Sequence, residues 1–126
     1  LRGRNLPRQT WLPFMPADRY TLGAQWQRSF GAHSRWSTKL SSEGIYVTKQ
    51  TRFDPDKDLV SDSPSAYFLL NSTAELGIRL PQRREVRFML VGDNILNNLY
   101  KEYTDRFRYY AHSPGWSLTL RTILYF

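Results

Sequence analysis

Side-chain alternation with a period of two, and no sustained apolar period of 3.6, constrains this chain more than any other feature. It is cleanest in the last stretch, Trp116 to Phe126. In an extended strand successive side chains point to opposite faces. Trp116, Leu118, Leu120, Thr122, Leu124 and Phe126 then share one face; Ser117, Thr119, Arg121, Ile123 and Tyr125 share the other. The first face is apolar with an aromatic ring at each end, and the second is mostly polar. A half-buried strand of a soluble domain alternates in the same way. A length of about ten residues also suits a strand tilted across a bilayer.

The same alternation recurs four times. Arg19 to Arg28 sets Tyr20, Leu22, Ala24 and Trp26 against Thr21, Gly23, Gln25 and Gln27. Arg35 to Thr48 sets Trp36, Thr38, Leu40, Ser42, Gly44 and Tyr46 against Arg35, Ser37, Lys39, Ser41 and Glu43. Ala66 to Leu80 groups Phe68, Leu70, Ser72, Ala74, Leu76, Ile78 and Leu80 against Leu69, Asn71, Thr73, Glu75 and Arg79. Glu85 to Asn94 sets Val86, Phe88 and Leu90 against Glu85, Arg87 and Met89.

Residues 1–18 are expected to be loop, because Pro7, Pro13 and Pro16 block regular pairing. Short turns are expected at Ser29–Ser34, around Gly31, and at Pro81–Arg84; long loops at Gln50–Ser65 and Asn94–Pro114. The expected fold is all-β: an antiparallel up-and-down meander of about five long strands, part of a transmembrane β-barrel. Alternating long and short connections are the pattern of outer-membrane barrels.

Composition narrows the function classes. The 126 residues suffice for one ordinary domain with its own core. Mean hydropathy is −0.57, and no apolar run reaches the length of a membrane helix. A helical span is excluded; a barrel, whose alternating strands average to low hydropathy, is not. Aromatic residues are 15%, more than a soluble domain usually carries. They fall into two belts: Trp26, Trp36, Tyr125 and Phe126 toward the short turns, and Tyr20, Tyr46, Tyr67, Phe68 and Trp116 toward the long loops. The net charge of +7 is spread without a tract and suits a basic surface, nucleic acid or anionic headgroups alike. There is no cysteine, so no disulfide frame and no thiolate metal site. Leu1-Arg-Gly-Arg has no apolar region behind it and is not a signal peptide; the chain is expected to begin within a larger protein.

The faces assign roles. Leu22, Trp36, Leu40, Leu70, Leu76, Phe88, Leu90, Leu118, Leu120 and Leu124 are the expected lipid-facing set. Lys39, Glu43, Glu75, Arg79, Arg87 and Arg121 are the expected lumen-facing set, although a solvent face would look the same. Arg106-Phe-Arg108-Tyr109-Tyr110 interleaves cations and rings. Bases stacked on rings, an anionic substrate or lipopolysaccharide phosphates at a barrel mouth, and plain loop packing would all use that pattern; packing is the commonest. Asp54-x-Asp56-x-Asp58 opens like an EF-hand, but Leu59 stands where glycine is needed and Ser65 where glutamate is needed, so it is read as a solvated loop. Asn71-Ser-Thr73 fits a glycosylation acceptor but lies inside an expected strand. His33 and His112 are far apart, without partners at metal-ligand spacing. No catalytic motif is present, and no enzyme activity, metal or cofactor is expected.

Several segments, taken in order, are similar to TonB-dependent outer-membrane receptors. Gly92-Asp-Asn94-Ile-Leu-Asn97-Asn-Leu-Tyr100 resembles the family's Val-x-Asn-Leu-Phe-Asn-x-x-Tyr signature. Arg108-Tyr-Tyr-Ala111 followed by Pro114-Gly115 resembles the approach to its final strand. Leu12-Pro-Phe-Met-Pro16 and Arg19-Tyr-Thr-Leu-Gly23 resemble the start of an earlier strand, and a terminal Phe126 resembles its assembly signal. Leu96 replaces the signature Phe, and Trp116 stands where Arg often follows Pro-Gly.

The resemblance implies that residues 1–126 are the C-terminal part of a barrel of about twenty-two strands whose plug and TonB box lie elsewhere. It further implies energy-coupled uptake of a scarce solute, of the iron-siderophore, haem or cobalamin class, in the outer membrane of a Gram-negative bacterium. Implied partners are outer-membrane lipid and lipopolysaccharide, the plug, the TonB complex, the barrel-assembly machinery and a small-molecule substrate, with no nucleic acid. Loop residues Arg106, Arg108, Tyr109, Tyr110 and His112 would meet that substrate. The competing expectation is a small basic soluble β-barrel that binds single-stranded nucleic acid.

Overall fold

The computed structural model describes residues 4–5, 10–11, 15–52, 63–82 and 84–126. Two short strands, β1 (Arg4–Asn5) and β2 (Thr10–Trp11), pair antiparallel. Five long strands follow: β3 (Arg19–Phe30), β4 (Trp36–Val47), β5 (Tyr67–Arg79), β6 (Glu85–Asp93) and β7 (Ser117–Tyr125). They form one open antiparallel sheet in the order β3-β4-β5-β6-β7, so each strand lies beside its neighbour in sequence. The all-β meander expected from alternation is therefore present. The closed small barrel of the competing expectation is not, since β3 and β7 are sheet edges. Among the described residues helix is confined to two 3-10 turns, Ala32–Ser34 and Arg106–Tyr109.

The expectation that residues 1–18 are all loop needs correction, because Arg4 pairs with Trp11 and Asn5 with Thr10. Pro7 lies between the two paired dipeptides and Pro13 after them, so each residue that pairs keeps its N–H. The first turn also starts later than expected. β3 continues to Phe30, and Gly31 (φ 83°) and His33 (φ 58°) then reverse the chain through left-handed backbone. In the second short turn Gln82 (φ 64°) takes the left-handed position, and Leu80 N–H donates to Arg84 C=O at 2.8 Å. The triple-aspartate segment lies outside the described residues.

Register carries the sidedness across the sheet. Ala74 faces Leu90, which faces Leu120; Ile78 faces Val86, which faces Leu124. Glu75, Met89 and Arg121 form a row of the opposite parity, as do Gly77, Arg87 and Ile123. On β4, Ser42 Oγ meets Ser72 Oγ at 2.7 Å and Arg35 C=O accepts Arg79 N–H at 2.8 Å, so parity is kept there too. Asp18 C=O accepts Thr48 N–H at 2.9 Å, which aligns the start of β3 with the end of β4 in the same way. Even-numbered side chains therefore share one face from β3 to β7, and odd-numbered ones share the other.

The chain divides into two compact units. One comprises Leu1–Tyr20, Ile45–Phe68 and Asn98–Gly115; the other comprises Thr21–Gly44, Leu69–Asn97 and Trp116–Phe126. The first holds a small core of Met15, Val47 and Tyr103 around the side chain of Gln50, which is 1% exposed. Gln50 Nε2 donates to Met15 C=O, its Oε1 accepts Arg52 N–H at 3.0 Å, and its own N–H donates to Pro64 C=O at 3.2 Å. Arg52 then ties Pro16 C=O (2.9 Å) and Asp18 Oδ1 (2.8 Å) to the same knot. A buried amide with its polar groups bonded is tolerated where a bare one is not.

In the second unit β6 ends at Asp93, and Asn94 (φ 46°) and Asn97 (φ 52°) adopt left-handed backbone, as their residue type suggests. Asn71 Oδ1 accepts Asn94 N–H at 2.9 Å, and Asn97 Oδ1 accepts Trp116 N–H at 3.3 Å. Asn97→Val is expected to lower stability by about 1–2 kcal/mol, because a branched side chain resists positive φ. Asn97→Gly is expected to cost clearly less; denaturant titration of the two variants separates backbone strain from the lost acceptor.

Candidate functional site

The apolar face of the sheet is the most unusual surface. In the second unit Leu22, Trp26, Phe30, Trp36, Leu40, Leu76 and Leu80 are exposed on it, as are Phe88, Leu90, Leu118, Leu120 and Leu124. Leu22 is 83% exposed and Leu120 68%, so no other described residue covers this face. A soluble monomer rarely exposes a contiguous apolar patch beyond a few hundred Å². Of the expected lipid-facing set, Leu70 is the one intermediate in exposure; the others stand open. In the first unit Tyr20, Tyr46 and Phe68 are exposed with the same parity.

Parity corrects the two expected aromatic belts. Tyr125 and Tyr67 are odd-numbered and do not belong to the apolar face. Tyr125 faces Glu85 in the ladder, and the guanidinium of Arg87 lies 5.1 Å from its ring centroid. Tyr67 packs against Tyr100 with centroids 4.6 Å apart and planes tilted by 32°. A cation over a ring and a ring pair each gain something in their own right, so neither ring needs the apolar face.

The opposite face is a charge ladder. Arg87 reaches Glu85 Oε1 through Nη2 at 2.6 Å and Nε at 2.8 Å, and Glu75 Oε1 through Nε at 3.4 Å. The Glu75–Arg87 contact is the one that crosses strands; such a pair contributes roughly 0.2–1 kcal/mol and favours one register. Gly77 opposes Arg87 and gives the ladder room. A Cβ on Gly77 would lie 2.4 Å from Ser37 Oγ and 3.4 Å from Glu85 Oε1. Lys39 and Arg79 join Gln27, Ser29 and Ser37 around a polar groove of about 230 Å³. Glu43 lines a shallower groove of about 400 Å³ with Gln25, Ser41, Asn71 and Thr73. Arg121 lies opposite Met89 on the edge strand and is exposed. The expected lumen-facing residues thus share one face, although among the described residues only Glu75 and Arg87 of them bond to each other directly.

In the first unit a cleft of about 310 Å³ is lined by Tyr67, Leu99, Tyr100, Lys101, Arg108, Tyr109 and His112, with Ser63 to Ala66. Three of the five expected loop contacts, Arg108, Tyr109 and His112, meet there. Arg108 is 4% exposed and is held by the loop itself. Its guanidinium lies 4.1 Å from the Tyr103 ring centroid and 4.6 Å from that of Tyr109. It donates to Tyr103 C=O and, at 2.7 Å, to Tyr109 Oη. Loop packing is therefore what this arginine does. Arg106 and Tyr110 do not line the cleft and are exposed, Tyr110 at 89%. Asp105 caps the turn by accepting Phe107 N–H at 2.9 Å.

The signature residues serve as loop fasteners. Tyr100 pairs with Tyr67, and its C=O accepts Ser113 N–H at 2.9 Å, one residue before Pro114-Gly115. Asn98 Nδ2 donates to Phe68 C=O at 2.6 Å. Sequence reasoning missed Gln50, Arg52, Lys101 and Tyr103. None carries a local signal, since their roles depend on contacts distant in sequence. Among the described residues no group of three or more His, Asp or Glu could hold a metal ion, and no helix is long and apolar enough to cross a membrane. No family model, curated protein or solved structure matches the chain.

Arg108→Gln removes the cation that ties the loop to Tyr103 and leaves a buried carbonyl short of a donor, a loss of about 1–3 kcal/mol locally. Hydrogen exchange across residues 98–115 is expected to speed up, while exchange in β5–β7 stays as it was. Arg106→Gln should leave both unchanged.

Proposed function

We propose that the chain supplies a stretch of outer-membrane β-barrel wall, of the kind the TonB-dependent receptors use for energy-coupled uptake of a scarce solute. One observation carries the proposal: an uncovered apolar face bounded by rings at a repeated spacing. Tyr20 and Phe30, Trp36 and Tyr46, and Trp116 and Phe126 are each ten positions apart, with parity preserved. At about 3.3 Å per residue this is about 33 Å along a strand. A strand tilted by about 40° then spans about 25 Å of membrane, the height of the apolar band of an outer-membrane barrel. Rings favour the boundary between hydrocarbon and water, which explains their place at both limits of the band.

The remaining surfaces suit the same role. The charge ladder of Glu75, Glu85 and Arg87, with Lys39, Glu43, Arg79 and Arg121, would face a wet lumen and the plug. The long connections would lie outside, near lipopolysaccharide. There the cleft beside Tyr100, Lys101 and His112 is the part best able to touch a solute of the siderophore, haem or cobalamin class. Insertion would need the barrel-assembly machinery, and transport the TonB complex. Nucleic acid fits less well: the exposed rings of the sheet stand on a nearly uncharged face, whereas base stacking is paired with phosphate-binding cations.

The face assignment has a direct test. In detergent or lipid, Leu120→Arg is expected to destabilise the folded sheet by about 2–4 kcal/mol, because the site would lie near the bilayer midplane. Thr119→Arg, one position away on the polar face, should cost much less. Equal losses would show that even and odd side chains do not meet different media.

A further inference from the structure

The apolar face is nearly free of charge, and its exceptions are not scattered. Among the described strand residues no aspartate or glutamate is even-numbered; Glu43, Glu75, Glu85 and Asp93 are all odd. Within β3 to β7, Arg28 is the one even-numbered cation, two positions before Phe30. Arg84 directly precedes β6, and its carbonyl accepts the N–H of Leu80, an exposed residue of the apolar face. The ladder that sets Arg79 against Glu85 continues to Leu80 and Arg84, which places Arg84 on that face as well. Both arginines therefore sit on the apolar side at the end of the sheet where the two short turns lie. Both are exposed, and neither makes an ion pair among the described residues.

An arginine beside hydrocarbon keeps its guanidinium where an anion or water can reach it, and its planar donors match a phosphate in two-pronged fashion. The far end of the same face carries hydroxyl-bearing rings instead, Tyr20 and Tyr46, and within β3 to β7 no even-numbered cation lies there. The chemistry of the two limits is therefore unequal. We infer that Arg28 and Arg84 form an anionic-phospholipid contact, holding headgroup phosphates at the short-turn limit of the apolar face. The inference rests on the lipid-facing reading of that face and adds which limit meets phosphate.

The test is flotation of the full chain with two vesicles, one of neutral phosphatidylcholine and one containing phosphatidylglycerol. Each arginine near an anionic surface is expected to contribute about fivefold, so the pair should favour the anionic vesicle roughly thirtyfold at low salt. Arg28→Gln with Arg84→Gln is expected to abolish most of that excess while flotation with neutral vesicles persists. Arg79→Gln with Arg121→Gln removes equal charge from the polar face and should keep the excess, which separates a placed contact from net charge. Circular dichroism identifies any variant that fails to fold, and Arg28→Lys with Arg84→Lys should then retain part of the preference. An excess that survives in the Arg28/Arg84 glutamine variant overturns the inference and leaves the apolar face as lipid-facing. The same holds for an excess lost equally in both glutamine pairs, or one removed by inorganic phosphate more than by chloride of equal ionic strength. A wild-type chain that floats with neither vesicle overturns the face reading and the inference together.

Discussion

The constraint behind everything described is the pleat: opposed residues in an antiparallel ladder point the same way. Each ladder in this sheet sets even against even and odd against odd. A slip of one residue in any strand would bring Arg87 or Glu75 among leucines and expose Leu90 or Leu120 to the charged side. The cost of that mixture fixes the register more strongly than any single hydrogen bond does. Local devices then work within it. The Ser42–Ser72 hydroxyl pair satisfies two polar groups on the apolar side, and the absent side chain of Gly77 leaves space for Ser37 beneath the Arg87 ladder.

A second principle governs the segments outside the sheet. They hold together through polar groups that find partners inside the protein, and among the described residues Met15 and Tyr103 are their buried apolar side chains. Gln50 bonds the distant Met15 and Pro64 carbonyls and the nearby Arg52 amide at once, and Arg108 is held between two tyrosine rings. Such knots fix loop shape with little apolar burial. They also commit cations that would otherwise look available to a ligand, so exposure decides which basic residues can act outward. Lys101 and His112 at the cleft are less enclosed than Arg108.

The sheet was legible in the sequence because a period of two survives without knowledge of any partner strand. The five long strands, their order and their sidedness follow from it, and strand ends moved by at most one residue except at Phe30, two beyond the expected end. Asn94 and Asn97 were legible because few side chains accept left-handed backbone. Gln50 was not, since a glutamine in a polar stretch looks solvated until Met15 and Pro64 close over it. The Arg-Phe-Arg-Tyr-Tyr run left an outward surface and plain loop packing both open, and tertiary contact turned its central arginine inward. Tyr67 and Tyr125 were grouped with the belts by position along the chain, when parity, the stronger rule, put them with Tyr100 and Arg87. The β1–β2 pair escaped because prolines nearby in sequence masked two dipeptides free to bond.

The flanks of the sheet add a demand of their own. Among the described residues, β3 and β7 each have one side on which amides and carbonyls meet no neighbouring strand. Water satisfies those groups cheaply, whereas in hydrocarbon each bare one costs several kcal/mol. A surface suited to oil on its broad side is thus bordered by two seams that oil cannot solvate. Such a sheet can lay its broad side on a lipid surface alone, but would span a bilayer only when further strands zip onto both borders.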